Sequence, residues 1–244
     1  MEIKLGQVEN YNPTTVNVWP FKKAEDIVNG INLRLSNMCG GYDFDALGRH
    51  WKSSEQLYLC GEFTDPQIQK ELDEATSGYG AKRFIKAKYK DQVRPDFPTY
   101  RLQWMLWCVW QKCKGSKAFC DLLLSTGDGV LVEDTTTDNG GTANIWGCGN
   151  LELTNARREF EAQYRANNPK PKGTTKQEYE KTINILRNRI QVVGIWVGEN
   201  NIGKILMLCR EALKNNTEPE IDYDLLNNSN ITIFGQTVKF TNKQ

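Results

Sequence analysis

Apolar residues recur at helical spacing along much of the chain, and the strongest such stretch is 99–113. There Leu102, Met105, Leu106 and Val109 follow the i, i+3, i+4, i+7 rule, with three tryptophans between and after them. A helix this rich in tryptophan is most simply part of the core, and a stacking platform for nucleic-acid bases is the alternative. The pattern therefore predicts a buried central helix.

Capping residues and turn signals divide the rest of the chain into shorter elements. Ser53 can cap a helix that begins near Glu55 and runs to about Phe63, and Asp65 followed by Pro66 suits the start of the next helix. The same reasoning predicts helices at 24–29, 66–76, 80–90, 116–126, 156–166, 176–190 and 202–213. It predicts strands at 42–47, 130–133 and 192–197, a hairpin within 230–240, a polar loop at 134–145 and a linker at 167–173.

Composition excludes several classes of protein. The chain has 244 residues, a net charge of +1 and seven cysteines without a C-x-x-C pair. A chain that holds nucleic acid by bulk electrostatics carries a large basic excess, so any such contact here must be a local patch. The cysteines predict free thiols rather than a zinc site or a disulfide scaffold. No long apolar run or basic leader occurs, so we expect a cytoplasmic protein that does not bind a membrane.

The single histidine, His50, limits the chemistry that the chain can perform. A metal site built from several histidines cannot form, and a serine or cysteine triad would need His50 as its base. His50 follows a turn signal, and we expect a surface histidine there. Proton transfer in an enzyme would then fall to carboxylates, assisted by lysine or tyrosine.

Four separated groups of residues form a pattern in a fixed order. The groups are Leu35-Ser36-Asn37 with Trp51–Tyr58, Ala81-Lys82-Arg83 with Arg101 and Met105, Leu131–Asp138 with Asn144–Gly149, and Gly198–Met207. Together they resemble the NADAR family, which includes the YbiA-like N-glycosidases. The resemblance implies a compact, helix-rich α+β fold in one domain over 1–244, with small strands. It also implies an inserted helical segment at 151–190. We further predict that 217–244 is a C-terminal, hairpin-like extension.

The resemblance implies two activities and no cofactor. One is removal of ADP-ribose from guanine bases in nucleic acid, with an ADP-ribosyltransferase toxin as the expected counterpart. The other is hydrolysis of ribosylamino-pyrimidine phosphate intermediates of riboflavin biosynthesis. A binding module that holds ADP-ribose or NAD without hydrolysis is the alternative from another class. The additional segments and the basic clusters at 82–90, 112–117 and 170–172 favour the nucleic-acid substrate.

The chain departs from the family pattern in three places. Many members have lysine where this chain has Glu62, so any role of that lysine is lost or moved. Residues 139–143 look like an insertion before the Trp-Gly motif, as do residues 151–190. These departures affect the expected substrate more than the expected chemistry.

The expected catalytic residues are carboxylates within the matched motifs. Cleavage of an N-glycosidic bond makes the ribose carbon cationic, and carboxylates stabilise that charge, protonate the leaving nitrogen or activate water. Glu55 is the first candidate, with Glu133 and Asp138 beside it. Lys204 is a further candidate, because an amine can attack the ribose carbon and form a Schiff base.

The expected substrate-binding residues come from the same motifs. An indole beside glycines can stack on a base, and a helix start with free N–H groups, glycine and lysine suits phosphate. The alternatives are core packing for the indole and routine capping for the helix start. The set is Asn37, Ser54, Lys82, Arg83, Trp146, Gly147, Asn200, Asn201 and Gly203.

Overall fold

A computed structural model of the chain describes residues 2–22, 27–138, 142–190 and 194–241. Its helices are α1 Ser54–Cys60, α2 Pro66–Glu74, α3 Gly78–Gly80, α4 Phe97–Gly115, α5 Lys117–Ser125, α6 Ala143–Trp146, α7 Leu151–Asn167, α8 Lys176–Asn188, α9 Asn201–Asn215 and α10 Tyr223–Asn228. A π-helix, Ala81–Lys86, continues α3, and a 3₁₀ turn covers Lys90–Gln92.

The strands are short and belong to separate small sheets. They are β1 Glu9–Tyr11, β2 Val18–Phe21, β3 Ile27–Val28, β4 Ile31–Asn32, β5 Phe44–Ala46, β6 Arg49–Trp51, β7 Val130–Glu133, β8 Gly149–Asn150, β9 Trp196–Gly198, β10 Thr232–Ile233 and β11 Gln236–Thr237. β1, β9 and β8 form one sheet, β2 pairs with β7 in parallel, and the other pairs are β3 with β4, β5 with β6 and β10 with β11. The predicted α+β, helix-rich fold is confirmed.

Helix α4 is the centre of the core, as its tryptophan pattern predicts. Trp104 is fully buried, and its indole N–H donates to the carbonyl of Tyr58 at 2.9 Å. A side chain at Gly61 would meet this indole at 2.2 Å, so the glycine lets α1 lie directly on α4. The hydroxyl of Tyr100 donates to the carbonyl of Gly61 at 2.9 Å, which fastens the two helices one turn further along.

Strand β7 lies between β2 and helix α9. Trp19 of β2 packs so closely on Gly129 that a Cβ there would come within 2.5 Å of the indole. On the other side, a Cβ at Gly203 would lie 2.2 Å from the carbonyl of Leu131. The two glycines therefore allow a tight layer of strand, strand and helix, and the last residue of β7 is Glu133.

The N-terminal segment is fastened to the start of α9. The ammonium group of Lys204 donates to the carbonyls of Lys4 and Gln7 at 2.8 and 2.7 Å, and it pairs with Glu9 at 2.9 Å. Strand β1 adds antiparallel pairing with β9. This buried lysine thus satisfies backbone carbonyls that would otherwise have no donor.

Helices α7 and α8 pack together as a pair near the surface. The guanidinium of Arg165 joins them, because it pairs with Glu161 of α7 and Glu180 of α8 at 2.7 Å each. Thr175 and Glu178 form a capping box at the start of α8. The prediction that 151–190 is an insertion stays a prediction.

Most predicted elements are confirmed, with several corrections. The prediction of one helix over 80–90 is wrong, because the chain forms a π-helix and then a 3₁₀ turn. Part of the 24–29 prediction lies outside the described residues, and Ile27–Val28 is a strand. The polar loop at 134–145 ends in α6, and residues 139–141 lie outside the described residues. The helix predicted at 156–166 begins five residues earlier, since Asn150 caps it. Residues 192 and 193 of the predicted strand at 192–197 are also outside the described residues, and Trp196–Gly198 is a strand.

The cysteine and histidine predictions are confirmed. All seven cysteines carry free thiols. His50 is exposed, with Nδ1 2.9 Å from a carboxylate oxygen of Asp45. Among the described residues, no helix has both the length and the apolar character that crossing a bilayer requires.

Candidate active site

The matched motifs converge on a cavity of about 390 Å³ between α1, the π-helix, α4 and the end of β7. Its lining combines carboxylates, basic groups and aromatic rings. The lining residues are Asn37, Met38, Glu55, Tyr58, Glu62, Lys82, Lys86, Lys90, Val93, Arg94, Pro95, Phe97, Pro98, Arg101, Met105, Glu133, Thr142, Trp146 and Ile202.

Glu55 lies in the first turn of α1, at the base of the cavity, and is 1% exposed. Ser53 caps the helix by accepting from the N–H of Gln56. The carbonyl of Asn37 accepts from the N–H of Glu55 at 3.1 Å and from the hydroxyl of Ser54 at 3.3 Å. The amide of Asn37 donates in turn to a carboxylate oxygen of Glu55. This carboxylate is therefore fixed in position by its own helix start and by the neighbouring loop.

Lys82 places a cation against the other oxygen of that carboxylate. Its Nζ lies 3.4 Å from Oε1 of Glu55, and the carboxylate raises the pKa of the lysine. The π-helix that carries Lys82 lies close to α1, because a Cβ at Gly78 would come within 3.1 Å of the Cβ of Glu55. π-helical turns occur frequently at functional sites, where they redirect side chains.

Glu133 brings a second carboxyl group to the cavity from the end of β7. Its N–H donates to the side-chain carbonyl of Asn200 at 3.1 Å, and its carbonyl accepts from the N–H of Cys148 at 2.9 Å. Burial, assisted by the charges of Glu55 and Asp138, raises the pKa of Glu133 to about 7. At neutral pH this group can therefore both hold and release a proton.

Three aromatic residues, Tyr58, Phe97 and Trp146, form one wall of the cavity. The ring of Tyr58 meets Trp146 edge-on at 5.6 Å and Phe97 at 5.3 Å. Tyr58 is buried, whereas Trp146 is partly accessible. Such a wall suits a flat ligand ring.

Among the described residues, some basic residues of the lining form an ion pair with a carboxylate of the protein, and others do not. Lys86 pairs with Glu62 at 2.7 Å, and Arg94 pairs with Asp96 at 2.7 Å. Arg101 and Lys90 line the cavity without a hydrogen bond or ion pair to any of the described residues. These two cations are the groups best placed to bind an anionic ligand group such as phosphate.

The structure brings five of the sequence-predicted site residues to the cavity and leaves the others outside its lining. Those in the lining are Glu55, Glu133, Asn37, Lys82 and Trp146; those outside it are Asp138, Lys204, Ser54, Arg83, Gly147, Asn200, Asn201 and Gly203. Four of the second group, Ser54, Gly147, Asn200 and Gly203, support the cavity from behind. Asn200 and Gly203 position β7, and a Cβ at Gly147 would lie 2.3 Å from the carbonyl of Glu133.

Three residues outside the lining have partners that define other roles. Asn201 donates to the carbonyl of Ile145 at 2.6 Å and accepts from the N–H of Gly6 at 2.8 Å, so it connects α6 with the N-terminal segment. Arg83 is exposed and donates to the hydroxyl of Tyr79. Asp138 pairs with Lys22 at 2.6 Å.

Lys204 does not reach the cavity. Its ammonium group is fully buried and bound by three oxygen atoms of the N-terminal segment. This geometry gives no support to a Schiff base at that lysine, because its nitrogen is enclosed by these oxygen atoms and lies outside the cavity lining.

Sequence reasoning assigned no role to Tyr58, Glu62, Lys86, Phe97 or Arg101. A signal for two of them was present: Tyr58 and Glu62 follow Glu55 at i+3 and i+7, so all three share one face of the helix and its continuation. No local signal marks Lys86 or Phe97, which reach the cavity through the π-helix and the start of α4.

Comparisons with known proteins concern the fold and the family of this chain. No curated protein gives a significant match. The NMR structure of the E. coli protein YbiA is similar to this chain with a TM-score of 0.52 and 21% sequence identity, over 82% of this chain and 88% of that chain. At this identity the similarity concerns the fold. The profile of the NADAR domain family matches residues 32–214, and the chain belongs to this family.

Proposed function

We propose that the protein is an N-glycosidase that removes ADP-ribose from guanine bases in nucleic acid. Family membership supports the N-glycosidase role at the level of the reaction class. The observation that carries the proposal is the convergence of Glu55 and Glu133 on one cavity, with the ammonium of Lys82 beside Glu55. The two carboxyl groups come from distant parts of the chain and differ in their surroundings, as an acid and a charge stabiliser must.

Each group has a defined part in the hydrolysis. Protonated Glu133 donates its proton to the leaving nitrogen as the C–N bond breaks and the bond's electron pair stays on nitrogen. The carboxylate of Glu55 offsets the positive charge that develops on the ribose carbon. A water molecule then adds its oxygen to that carbon and passes a proton to Glu133, which restores the starting state.

The remaining lining residues suit the other parts of such a substrate. Arg101 and Lys90 are available for the phosphates, and the rings of Tyr58, Phe97 and Trp146 face a flat base. A charged cavity with carboxylates at the reacting end also favours an enzyme over a module that binds ADP-ribose without hydrolysis.

A nucleic-acid substrate is favoured by the surface beside the cavity. Two aromatic side chains of the segment that carries Lys82 and Lys86 face solvent: Tyr79 is 52% exposed and Phe84 is 66% exposed. The guanidinium of Arg83 lies 5.7 and 6.0 Å from the centres of these rings. Exposed aromatic rings with an arginine form a platform on which bases of single-stranded nucleic acid stack. A small pyrimidine metabolite would not extend to this surface.

The test is release of ADP-ribose from guanine-ADP-ribosylated DNA by the wild type and by Glu55→Gln. We expect the substitution to lower kcat by about 10² to 10⁴-fold, because an uncharged amide does not stabilise the cationic carbon. Glu74→Gln is the matched control, since Glu74 is an exposed glutamate of α2 paired with Lys70. Wild-type protein that releases nothing from this DNA but hydrolyses ribosylamino-pyrimidine phosphate would instead establish the metabolite as substrate.

A further inference from the structure

Glu62 presents an unsatisfied carboxylate oxygen in the lining of the cavity. The side chain is fully buried, and Oε1 accepts from Nζ of Lys86 at 2.7 Å. Oε2 has no hydrogen-bond partner among the described residues. A buried carboxylate oxygen without a donor is strongly unfavourable, and such groups in native proteins mark the position of a missing partner. A ligand in the cavity can supply this donor.

Glu62 faces a different part of the ligand from Glu55. The backbone continues in helical geometry through Gly61, so with a rise of about 1.5 Å per residue the Cα atoms of Glu55 and Glu62 are about 10 Å apart. Tyr58 lies between them on the same face. When the ribose carbon is at Glu55, the group that reaches Glu62 is therefore one that extends beyond the sugar and across the aromatic wall.

The charge of Glu62 indicates which part of the substrate reaches it, the phosphates or the base. A phosphate at this position would be repelled by the Glu62 carboxylate, and its natural partners in the lining are Arg101 and Lys90. The leaving base is flat, suits the wall formed by Tyr58, Phe97 and Trp146, and carries N–H donors on its edge. The orphan oxygen therefore matches a base and not a phosphate.

We propose that Glu62 is a specificity-determining residue that accepts a hydrogen bond from an N–H group on the Watson–Crick edge of the leaving base, and so selects guanine over adenine. Guanine carries a proton on N1, which donates to the carboxylate. Adenine has a lone pair on N1, which would face the carboxylate oxygen and leave both groups unpaired. The inference rests on the proposed N-glycosidase function, and it assigns the recognition of the base to Glu62.

The test compares kcat/KM for two small conjugates, in which ADP-ribose is linked to the exocyclic amino nitrogen of guanosine or of adenosine. Wild type is expected to prefer the guanosine conjugate. Glu62→Gln is expected to reduce that preference by about 10- to 100-fold, chiefly through KM, because the glutamine amide can donate to adenine N1. Glu71→Gln changes a half-buried glutamate that also pairs with a lysine but lies outside the cavity lining; it is the matched control and should keep the wild-type preference.

Binding of free guanosine and adenosine to the wild type, followed by tryptophan fluorescence, provides a readout that requires neither turnover nor a stable variant. We expect tighter binding of guanosine. Equal binding of the two nucleosides, or a Glu62→Gln protein that keeps the full preference, would overturn the inference. Preferential binding of guanosine without hydrolysis of either conjugate would instead overturn the proposed function and leave the role of Glu62 intact.

Discussion

At the scale of single residues, the surroundings of Glu133 give its carboxyl group a different character from that of Glu55. The carboxylate of Glu55 is held in place by the amide of Asn37 and has the ammonium of Lys82 beside it. Glu133 has no such donor on its side chain among the described residues, and burial dominates. The two carboxyl groups thus differ in their surroundings, and the raised pKa of Glu133 suits it to the part of the acid in the proposed N-glycoside hydrolysis.

This difference between the two carboxyl groups predicts that kcat/KM falls on the alkaline side of the pH profile, which we call the alkaline limb. The raised pKa of Glu133, about 7, means that its acid form is lost as the pH rises through 7, so kcat/KM should fall tenfold per unit above that pH. The charge of Asp138 contributes to raising this pKa. Asp138→Asn should therefore move the limb to lower pH, and Glu133→Gln should abolish it together with most of the activity.

The measurement is the pH dependence of kcat/KM between pH 5 and 9 for the wild type and both variants, with Asp121→Asn as control. Asp121 pairs with Lys117 at the surface of α5, outside the cavity lining. An unchanged limb in Asp138→Asn would show that Glu133 is not the group that titrates.

At the scale of elements, the π-helix Ala81–Lys86 serves two surfaces at once. Its additional residue per turn directs Lys82 and Lys86 into the cavity, while Phe84 points to solvent beside Tyr79 and Arg83. A regular helix over 80–90, as the apolar pattern predicts, would distribute these side chains differently. The element therefore connects the reacting centre with the surface on which a polymer would lie.

The π-helix yields a prediction that separates polymer from small substrate. Phe84→Ala should raise KM for an ADP-ribosylated oligonucleotide by about 5- to 100-fold, because a stacked base contributes roughly 1–3 kcal/mol. The same variant should leave KM for the ADP-ribosyl-guanosine conjugate unchanged. Leu151→Ala is a suitable control, since Leu151 is equally exposed but lies on α7. Equal effects on both substrates would contradict the stacking role.

At the scale of the whole molecule, the family match begins at residue 32, yet earlier residues complete the site. β2 is the parallel partner of β7, and the N–H of Asp134 donates to the carbonyl of Phe21 at 2.8 Å, next to Glu133. Lys4, Gln7 and Glu9 surround the ammonium of Lys204 at the start of α9. Strand β7, which carries Glu133, thus depends on the N-terminal segment on both of its sides: through β2 on one side and through α9 on the other.

Removal of residues 1–31 should therefore destabilise the protein and abolish activity, although no cavity residue is deleted. A buried ammonium left without its partners alone costs about 3–5 kcal/mol. Thermal unfolding followed by circular dichroism measures the effect. A truncated protein with wild-type melting temperature and activity would show that the segment is dispensable.

The sequence predicts the helical framework well, because caps and apolar spacing act locally. Ser53, Asp65 and the apolar face of α4 mark their elements in the amino-acid pattern itself. The π-helix is missed, because its hydrogen bonding follows from packing against α1 and α2 and not from spacing. The pairing of β2 with β7 is missed for a similar reason, since contacts between strands more than a hundred residues apart leave no local signal.

The site is predicted in its chemistry more than in its geometry. The motifs identify Glu55, Glu133, Lys82, Asn37 and Trp146, which line the cavity. They also contain residues that act from behind it. A short polar side chain in a glycine-rich motif suggests a residue that binds a ligand. The side chain of Asn200 instead forms hydrogen bonds with the backbone of Leu131 and Glu133. Sequence alone does not distinguish the two uses.

The Glu62–Lys86 pair has a consequence for the relatives of this chain. With lysine at both positions, two neighbouring cations would repel each other. With glutamate at 62 and a neutral residue at 86, the buried carboxylate would have no partner. Either single exchange passes through an unstable intermediate. The two positions should therefore change together among relatives, and a swap of base preference between such proteins needs both exchanges at once.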